Sequence, residues 1–245
     1  MPIFPIHDGR ELTHVARPYA TWAIILVNVA VYFVFEGGLG GDVSFAAVYG
    51  FGLIPATYND YFELPPDILA VPDWLTLVTY AFLHADFWHL LGNMVFLWVF
   101  ADNIEATIGS VRFFLFYFLG GLAAHAAHIY FNWYSTVPTI GASGAIAAVM
   151  GAYLVMFPTS RIKVWFFFLI FRMPAIFFLG IWIAMQWMSG TASLEVNTAQ
   201  SGGTAWWAHI GGFAFGVLAG FYFRFQYPSP REEQAYDYYS GGGYY

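Results

Sequence analysis

The sequence predicts an all-α membrane protein: a bundle of six transmembrane helices with a short central fourth helix. Three observations lead there. The 245 residues are 60% hydrophobic and only 9% charged, with a mean hydropathy of +0.61, whereas soluble domains carry about 25% charged residues. Apolar stretches at about 19–36, 87–104, 112–131, 143–158, 173–189 and 204–225 span or nearly span a hydrocarbon core, which needs roughly 17–20 residues. Threading the chain through these six places all eight Lys and Arg residues on one side.

The same composition excludes several classes of function. With eight Lys and Arg and a formal charge of −7, the chain lacks the basic surface of a nucleic-acid binder. Cysteine is absent, so there is no disulfide framework, no thiolate metal site and no cysteine nucleophile. The 27 Phe, 17 Tyr and 10 Trp residues are the aromatic excess that membrane interfaces favour, and membrane lipids are expected partners.

In chain order, residues 1–18 form a short head in which Arg10 and Arg17 precede the first apolar run. No convincing small-residue cleavage site follows that run, so it is expected to be a retained signal anchor. The segment 37–73 is a long Gly- and Pro-containing external loop, of a length more often functional than idle. Its Phe45, Tyr49, Phe51, Leu53 and Ile54 are apolar enough to rest on the outer leaflet. Arg112 separates the second and third spans. The fourth span, opening at Ser143, is short and rich in Gly and Ala, which suits the middle of a bundle better than a lipid-facing position. A fifth span covering 164–188 would bury Arg172 in hydrocarbon at a cost of several kcal/mol. Starting it at Met173 and Pro174 leaves Arg161, Lys163 and Arg172 at the cytoplasmic surface, and proline suits a first helical turn. Residues 190–203 read as a mobile Ser/Thr/Gly-rich loop. Arg224 and Arg231 follow the sixth span, and residues 226–245 read as a disordered cytoplasmic tail. The opposite side carries Asp42, Asp60, Glu63, Asp67, Asp73, Asp86 and Glu195 without Lys or Arg. The positive-inside rule then gives a multi-pass protein of the cell membrane with both termini cytoplasmic.

This topology brings scattered polar residues to one depth. The second, fourth and sixth spans enter from the non-cytoplasmic side, carrying His89 and Asn93, then Ser143, then His209 near their outer ends. A serine at the start of a Gly/Ala-rich helix is ordinarily a cap or packing residue, and a lone buried histidine is ordinarily a satisfied core residue. At matched depth they read as a nucleophile and its base, since a base within hydrogen-bond reach activates a serine. No carboxylate lies at this depth, which predicts a dyad rather than a triad. Gly212, Gly216 and Gly220 share a face with His209, and Gly144, Ala148 and Ala152 form a similar stripe beside Ser143. Small-xxx-small faces let two helix backbones approach closely. His89 and Asn93, four residues apart on one helix face, can aim two donors at one point as an oxyanion site requires. Gly141 and Gly144 keep the approach to the serine open, and helix-terminal N–H groups add donors. His84, His89, Asn93 and His209 are an alternative metal set, but they lack helical His spacing and an acidic member. Neither a metal nor a cofactor is expected. His125 and His128 in the third span are expected to be structural or to face lipid.

Together these strings resemble the rhomboid family of intramembrane serine proteases, of the bacterial six-transmembrane-helix type. The matching residues are His84, His89 and Asn93 (His-x4-His-x3-Asn), then Gly141, Ser143 and Gly144 (Gly-x-Ser-Gly), then Ala208, His209, Gly212 and Gly216 (Ala-His-x2-Gly-x3-Gly). Asp102, Asn103, Ile104, Glu105, Gly109, Arg112 and Phe113 match the family's connection between second and third spans. The resemblance covers about 19–225 and implies a rhomboid-like bundle. It also implies Ser143 as nucleophile, His209 as base and then acid, and His89, Asn93 and the Ser143 amide as oxyanion donors. Gly141 would help form that wall, and His84 would hold water or loop structure nearby. Substrates would be single-pass transmembrane proteins cut near the outer membrane surface, where their helix unwinds. The first external loop lacks the Arg some members carry. Ala147 stands where some have an aromatic stacked on the catalytic histidine, so the imidazole must be oriented otherwise, and Ala101 stands where Gly is expected. Two other classes remain: a catalytically silent relative that binds membrane proteins, and a small channel or transporter. The retained Ser143 and His209 argue against the first, and the absence of midplane acids against the second.

Overall fold

A computed structural model of the chain describes residues 3–8, 17–35, 44–166, 168–196 and 204–227. The elements are β1 (Ile3–His7), α1 (Tyr19–Phe35), α2 (Phe45–Phe51), α3 (Asp73–Thr79), α4 (Phe87–Ile108), α5 (Ser110–Phe131), α6 (Ser143–Met156), β2 (Arg161–Phe166), β3 (Leu169–Pro174), α7 (Ala175–Val196) and α8 (Trp206–Gln226). Each of the six apolar stretches forms one long helix. Two of them, Ser110–Phe131 and Ala175–Leu194, are by themselves long and apolar enough to cross a membrane, and Tyr19–Val34 and Ser143–Met156 are shorter apolar helices. The disordered tail expected after α8 lies, from residue 228 on, outside the described residues.

One local expectation changes: residues 190–196 continue α7 instead of opening a loop, and 197–203 lie outside the described residues. The connection 161–174, for which no secondary structure is read from the sequence, is a β-hairpin, and β1 from the head joins it in an antiparallel sheet of order β1–β2–β3. Alternation explains the fit. Ile162 and Val164 are fully buried, while Arg161, Lys163 and Trp165 turn to the other face. Lys163 sits opposite both His7 and Arg172 in the ladder. The helical class holds, with this small sheet added at the end where α4, α6 and α8 terminate.

Charge at that end is managed by burial with full hydrogen bonding. The Glu105 carboxylate, wholly buried at the end of α4, accepts hydrogen bonds from the Ala20 and Thr21 amides at 2.8 Å and from the Thr21 hydroxyl at 2.7 Å. It thereby caps α1, where an anion favours the free N–H groups of the first turn. Asp8 accepts from Asn103 Nδ2 and from the Tyr153 hydroxyl, both at 2.6 Å, and so ties the head to α4 and α6. Arg224 donates to the Val155 carbonyl at 3.2 Å, which places the end of α8 beside the end of α6.

The loop between α1 and α4 is anchored, and only partly as expected. Phe45 and Phe51 are exposed, but Leu53 and Ile54 are buried instead of resting on a leaflet. Leu53 forms an antiparallel bridge with Thr139, with N–O distances of 3.0 and 2.7 Å. The Ala56 amide donates to the Ser135 carbonyl, and Thr79 Oγ1 to the Phe51 carbonyl at 2.6 Å. Backbone bonds and the Thr79 hydroxyl thus anchor the loop.

The bundle is organised around α6, whose residues from Gly144 to Tyr153 are all buried. A Cβ on Gly216 would fall inside the Ala148 carbonyl, one on Gly212 inside the Gly144 carbonyl, and one on Gly220 would lie 2.9 Å from Ala152 Cα. The two small-residue stripes read from the sequence therefore face each other, backbone on backbone. Substituting Gly216→Ala is expected to cost about 1–3 kcal/mol by overpacking, read as a lower thermal unfolding midpoint. Gly92→Ala, where a Cβ meets open space, is expected to leave stability unchanged or raise it by up to about 1 kcal/mol.

Candidate active site

Ser143 is the first residue of α6, so its backbone belongs to a helix start whose N–H groups lack intrahelical partners. His209 lies one turn into α8. The α6–α8 contact brings them together: His209 Nε2 and Ser143 Oγ are 2.8 Å apart, with the imidazole buried and the hydroxyl partly exposed.

The other ring nitrogen has a partner that sequence reasoning missed. His209 Nδ1 lies 2.7 Å from Oε1 of Gln186 on α7, and both side chains are buried. Gln186 sits in a long apolar run with no motif around it, so nothing in the sequence singled it out. Trp182, one turn earlier on α7, has its ring 5.7 Å from the imidazole, and Trp206 approaches edge-on at 6.4 Å. These groups surround the histidine where Ala147 offers only a buried methyl.

His89 and Asn93 converge on Gly141. The Asp86 carboxylate caps α4 by accepting from the His89 amide at 2.9 Å, which sets the helix start and the height of His89. His89 Nδ1 accepts from the Ala85 amide at 3.3 Å, so the neutral ring carries its proton on Nε2. That nitrogen faces Gly141: a Cβ there would lie 2.8 Å from His89 Nε2 and 3.6 Å from Asn93 Nδ2. Gly141 has φ +116, reachable at low cost only without a side chain. Its amide is held by the Tyr80 carbonyl at 2.9 Å. Asn93 Nδ2, an N–H donor beside the serine loop, is buried and has no partner among the described residues.

His84 is fully buried with its ring 5.1 Å from that of His89. Burial lowers its pKa to about 3, helped by the neighbouring His89 and opposed by a bond with the Phe82 backbone, so it stays neutral. His125 and His128 are structural and do not face lipid. Both are buried, His125 against the Tyr80 ring and His128 with Nε2 2.8 Å from Thr139 Oγ1. Among the described residues, no group of three or more His, Cys, Asp or Glu side chains is placed to hold a metal ion.

Comparisons with known proteins show the family. The chain is 30% identical over 190 residues to the mitochondrial Rhomboid protein 1 of Saccharomyces cerevisiae, covering 72% of this chain and 50% of that protein. It is 30% identical over 145 residues to Rhomboid protease GluP of Bacillus subtilis, covering 59% of this chain and 26% of that protein. A mitochondrial Presenilin-associated rhomboid-like protein of Mus musculus is 27% identical over 146 residues, covering 56% and 34%. The chain thus spans half or less of the length of these relatives, and they include both mitochondrial and bacterial proteins. The Rhomboid domain family model matches residues 71–226, a stretch that holds Ser143, His209, His89 and Asn93, and the chain belongs to the rhomboid family.

Proposed function

We propose that this chain is a serine endopeptidase that works within the membrane. It would hydrolyse a peptide bond in or near the transmembrane segment of single-pass membrane proteins. The observation that carries the reading is the 2.8 Å contact between Ser143 Oγ and His209 Nε2. Ser143 is the nucleophile. His209 takes its proton as the hydroxyl attacks the scissile carbonyl, then returns it to the leaving amine. The negative charge on the tetrahedral intermediate is met by His89 Nε2–H, Asn93 Nδ2 and the Ser143 amide, with Gly141 leaving space for the substrate carbonyl. Water then hydrolyses the acyl-enzyme and regenerates the serine.

The six long helices are read as six membrane crossings, α6 being the short central one. Arg112, Arg161, Lys163, Arg172 and Arg224 lie at the end of the bundle opposite Ser143, which by the positive-inside rule is the cytoplasmic end. Both termini are then cytoplasmic, and the site opens to the non-cytoplasmic side of the cell membrane, where water enters. A substrate helix must unwind locally to be cut, because a helical peptide bond keeps its carbonyl in the intrahelical ladder. A catalytically silent binder of membrane proteins would have no need of a serine and a histidine in hydrogen-bond contact.

In liposomes with a single-pass reporter substrate, Ser143→Ala is expected to abolish cleavage while leaving the unfolding midpoint in place. A fluorophosphonate probe is expected to label Ser143 in the unaltered protein. Cleavage by the alanine variant at the original rate would sink the reading. Asn93→Ala removes one oxyanion donor and is expected to lower kcat about 10²–10³-fold with KM little changed, as for an interaction made only in the transition state.

A further inference from the structure

We propose that Gln186 is a positioning residue for the catalytic histidine, holding His209 from α7 in the one tautomer that can act as a base. This rests on the reading of Ser143 and His209 as nucleophile and base, and goes beyond it by supplying the orienting group that a bare dyad lacks.

Gln186 Oε1 lies 2.7 Å from His209 Nδ1, and an amide oxygen can only accept. Nδ1 must therefore carry the single proton of the neutral ring. The lone pair is left on Nε2, which faces Ser143 Oγ at 2.8 Å. In the opposite tautomer Nε2 would donate to the serine and could not take its proton. Gln186 thus selects the active form and fixes the plane of the ring. Both side chains are buried, at 1% and 7% exposure, so bulk water cannot stand in for the amide.

Two further observations point the same way. Ala147 offers the imidazole no stacking surface, whereas α7 presents Trp182 and Gln186, four residues apart and so on one face, with one side chain flanking the ring and the other bonding to it. Gln186 Nε2 is buried and has no hydrogen-bond partner among the described residues. A buried orphan N–H costs about 1–3 kcal/mol, so a packing role alone would be met better by leucine or methionine. The amide is neutral, and the other titratable side chains that act on His209 are His89 on α4 and His128 on α5. Among the described residues, no carboxylate supplies the orienting bond in its place.

The test compares the unaltered protein, Gln186→Leu and Gln186→Glu for cleavage of a single-pass reporter in liposomes, with kcat, KM, pH profile and thermal unfolding measured for each. Gln186→Leu exchanges one unpaired buried N–H for another, so its unfolding midpoint is expected to change little. Its kcat is expected to fall about 10- to 100-fold, the loss of one hydrogen bond to a group that becomes charged. Gln186→Glu keeps the acceptor and adds a negative charge, which favours the protonated imidazole. It is expected to recover most of kcat and to move the acid limb of the pH profile to higher pH. A leucine variant with unaltered kcat and pH profile overturns the proposal. So does a glutamate variant whose acid limb does not move, and that arm decides the matter if the leucine variant fails to fold. An unaltered protein that neither cleaves the reporter nor reacts with a fluorophosphonate probe overturns the protease reading itself, an outcome separate from either variant result.

Discussion

Backbone contact between α6 and α8 sets the distances in the site, because Ser143 and His209 are each the outermost polar group on one of these helices. A serine side chain reaches only one bond beyond Cβ, so a 2.8 Å contact with an imidazole requires helix axes closer than ordinary side chains allow. Gly212 and Gly216 against the carbonyls of Gly144 and Ala148 provide that approach. Gly151, where a Cβ would fall inside the Phe213 carbonyl, extends it to the middle of the helix. The stripe is therefore part of the site's geometry as well as of its stability. In a lipid environment, where apolar burial does not drive helices together, close packing of this kind is the main attractive term available.

The polar residues inside the bundle fall into two groups with different energetics. At the end remote from Ser143, Glu105 and Asp8 are saturated with hydrogen bonds, and each ties together segments distant in sequence. Removing one of these donors would weaken the hold on a buried carboxylate, at a cost of about 1.5–3 kcal/mol. At the opposite end, Asn93 Nδ2 and Gln186 Nε2 are left without partners. Unsatisfied donors persist in a native structure when something other than stability retains them. Asn93 and Gln186 lie beside Ser143 and His209, and buried polar atoms without partners also occur elsewhere, at Asn28 and Tyr117.

Legibility in the sequence follows the same division. Ser143, His209, His89, Asn93 and Gly141 could be singled out together as a candidate site because glycine spacing, helix depth and one-sided charge are all periodic or topological signals. The start of the fifth helix was legible for a similar reason: the cost of burying Arg172 and the tolerance of proline at a helix start pointed to Pro174, and α7 opens at Ala175. The β-hairpin was not legible. Residues 164–171 are uniformly apolar, a run with neither a period of 2 nor of 3.6 and hence ambiguous between strand and helix. Pairing with β1 across more than 150 residues decided it. Gln186 was hidden differently. One amide in an apolar helix has many structural uses, and only the packing of α7 on α8 gives it a partner. The expectation of a dyad came from searching for a carboxylate, when the orienting group is an amide.

An amide is a reasonable solution at this depth. A carboxylate beside His209 would stabilise the imidazolium, but it would have to be stripped of water in the resting protein, where the histidine is neutral and offers no counter-charge. That desolvation amounts to several kcal/mol per ion. Glutamine supplies the directional part of the interaction without the charge. On the proposed reading the consequence is a division of labour: orientation of the base would come from α7, while stabilisation of developing charge would be left to the donors gathered around Gly141. It also makes the base depend on the seating of α7. Any displacement of that helix from α8 would release Nδ1 and allow the ring to turn or change tautomer, so the serine would lose its activation without any change in the α6–α8 contact that positions it.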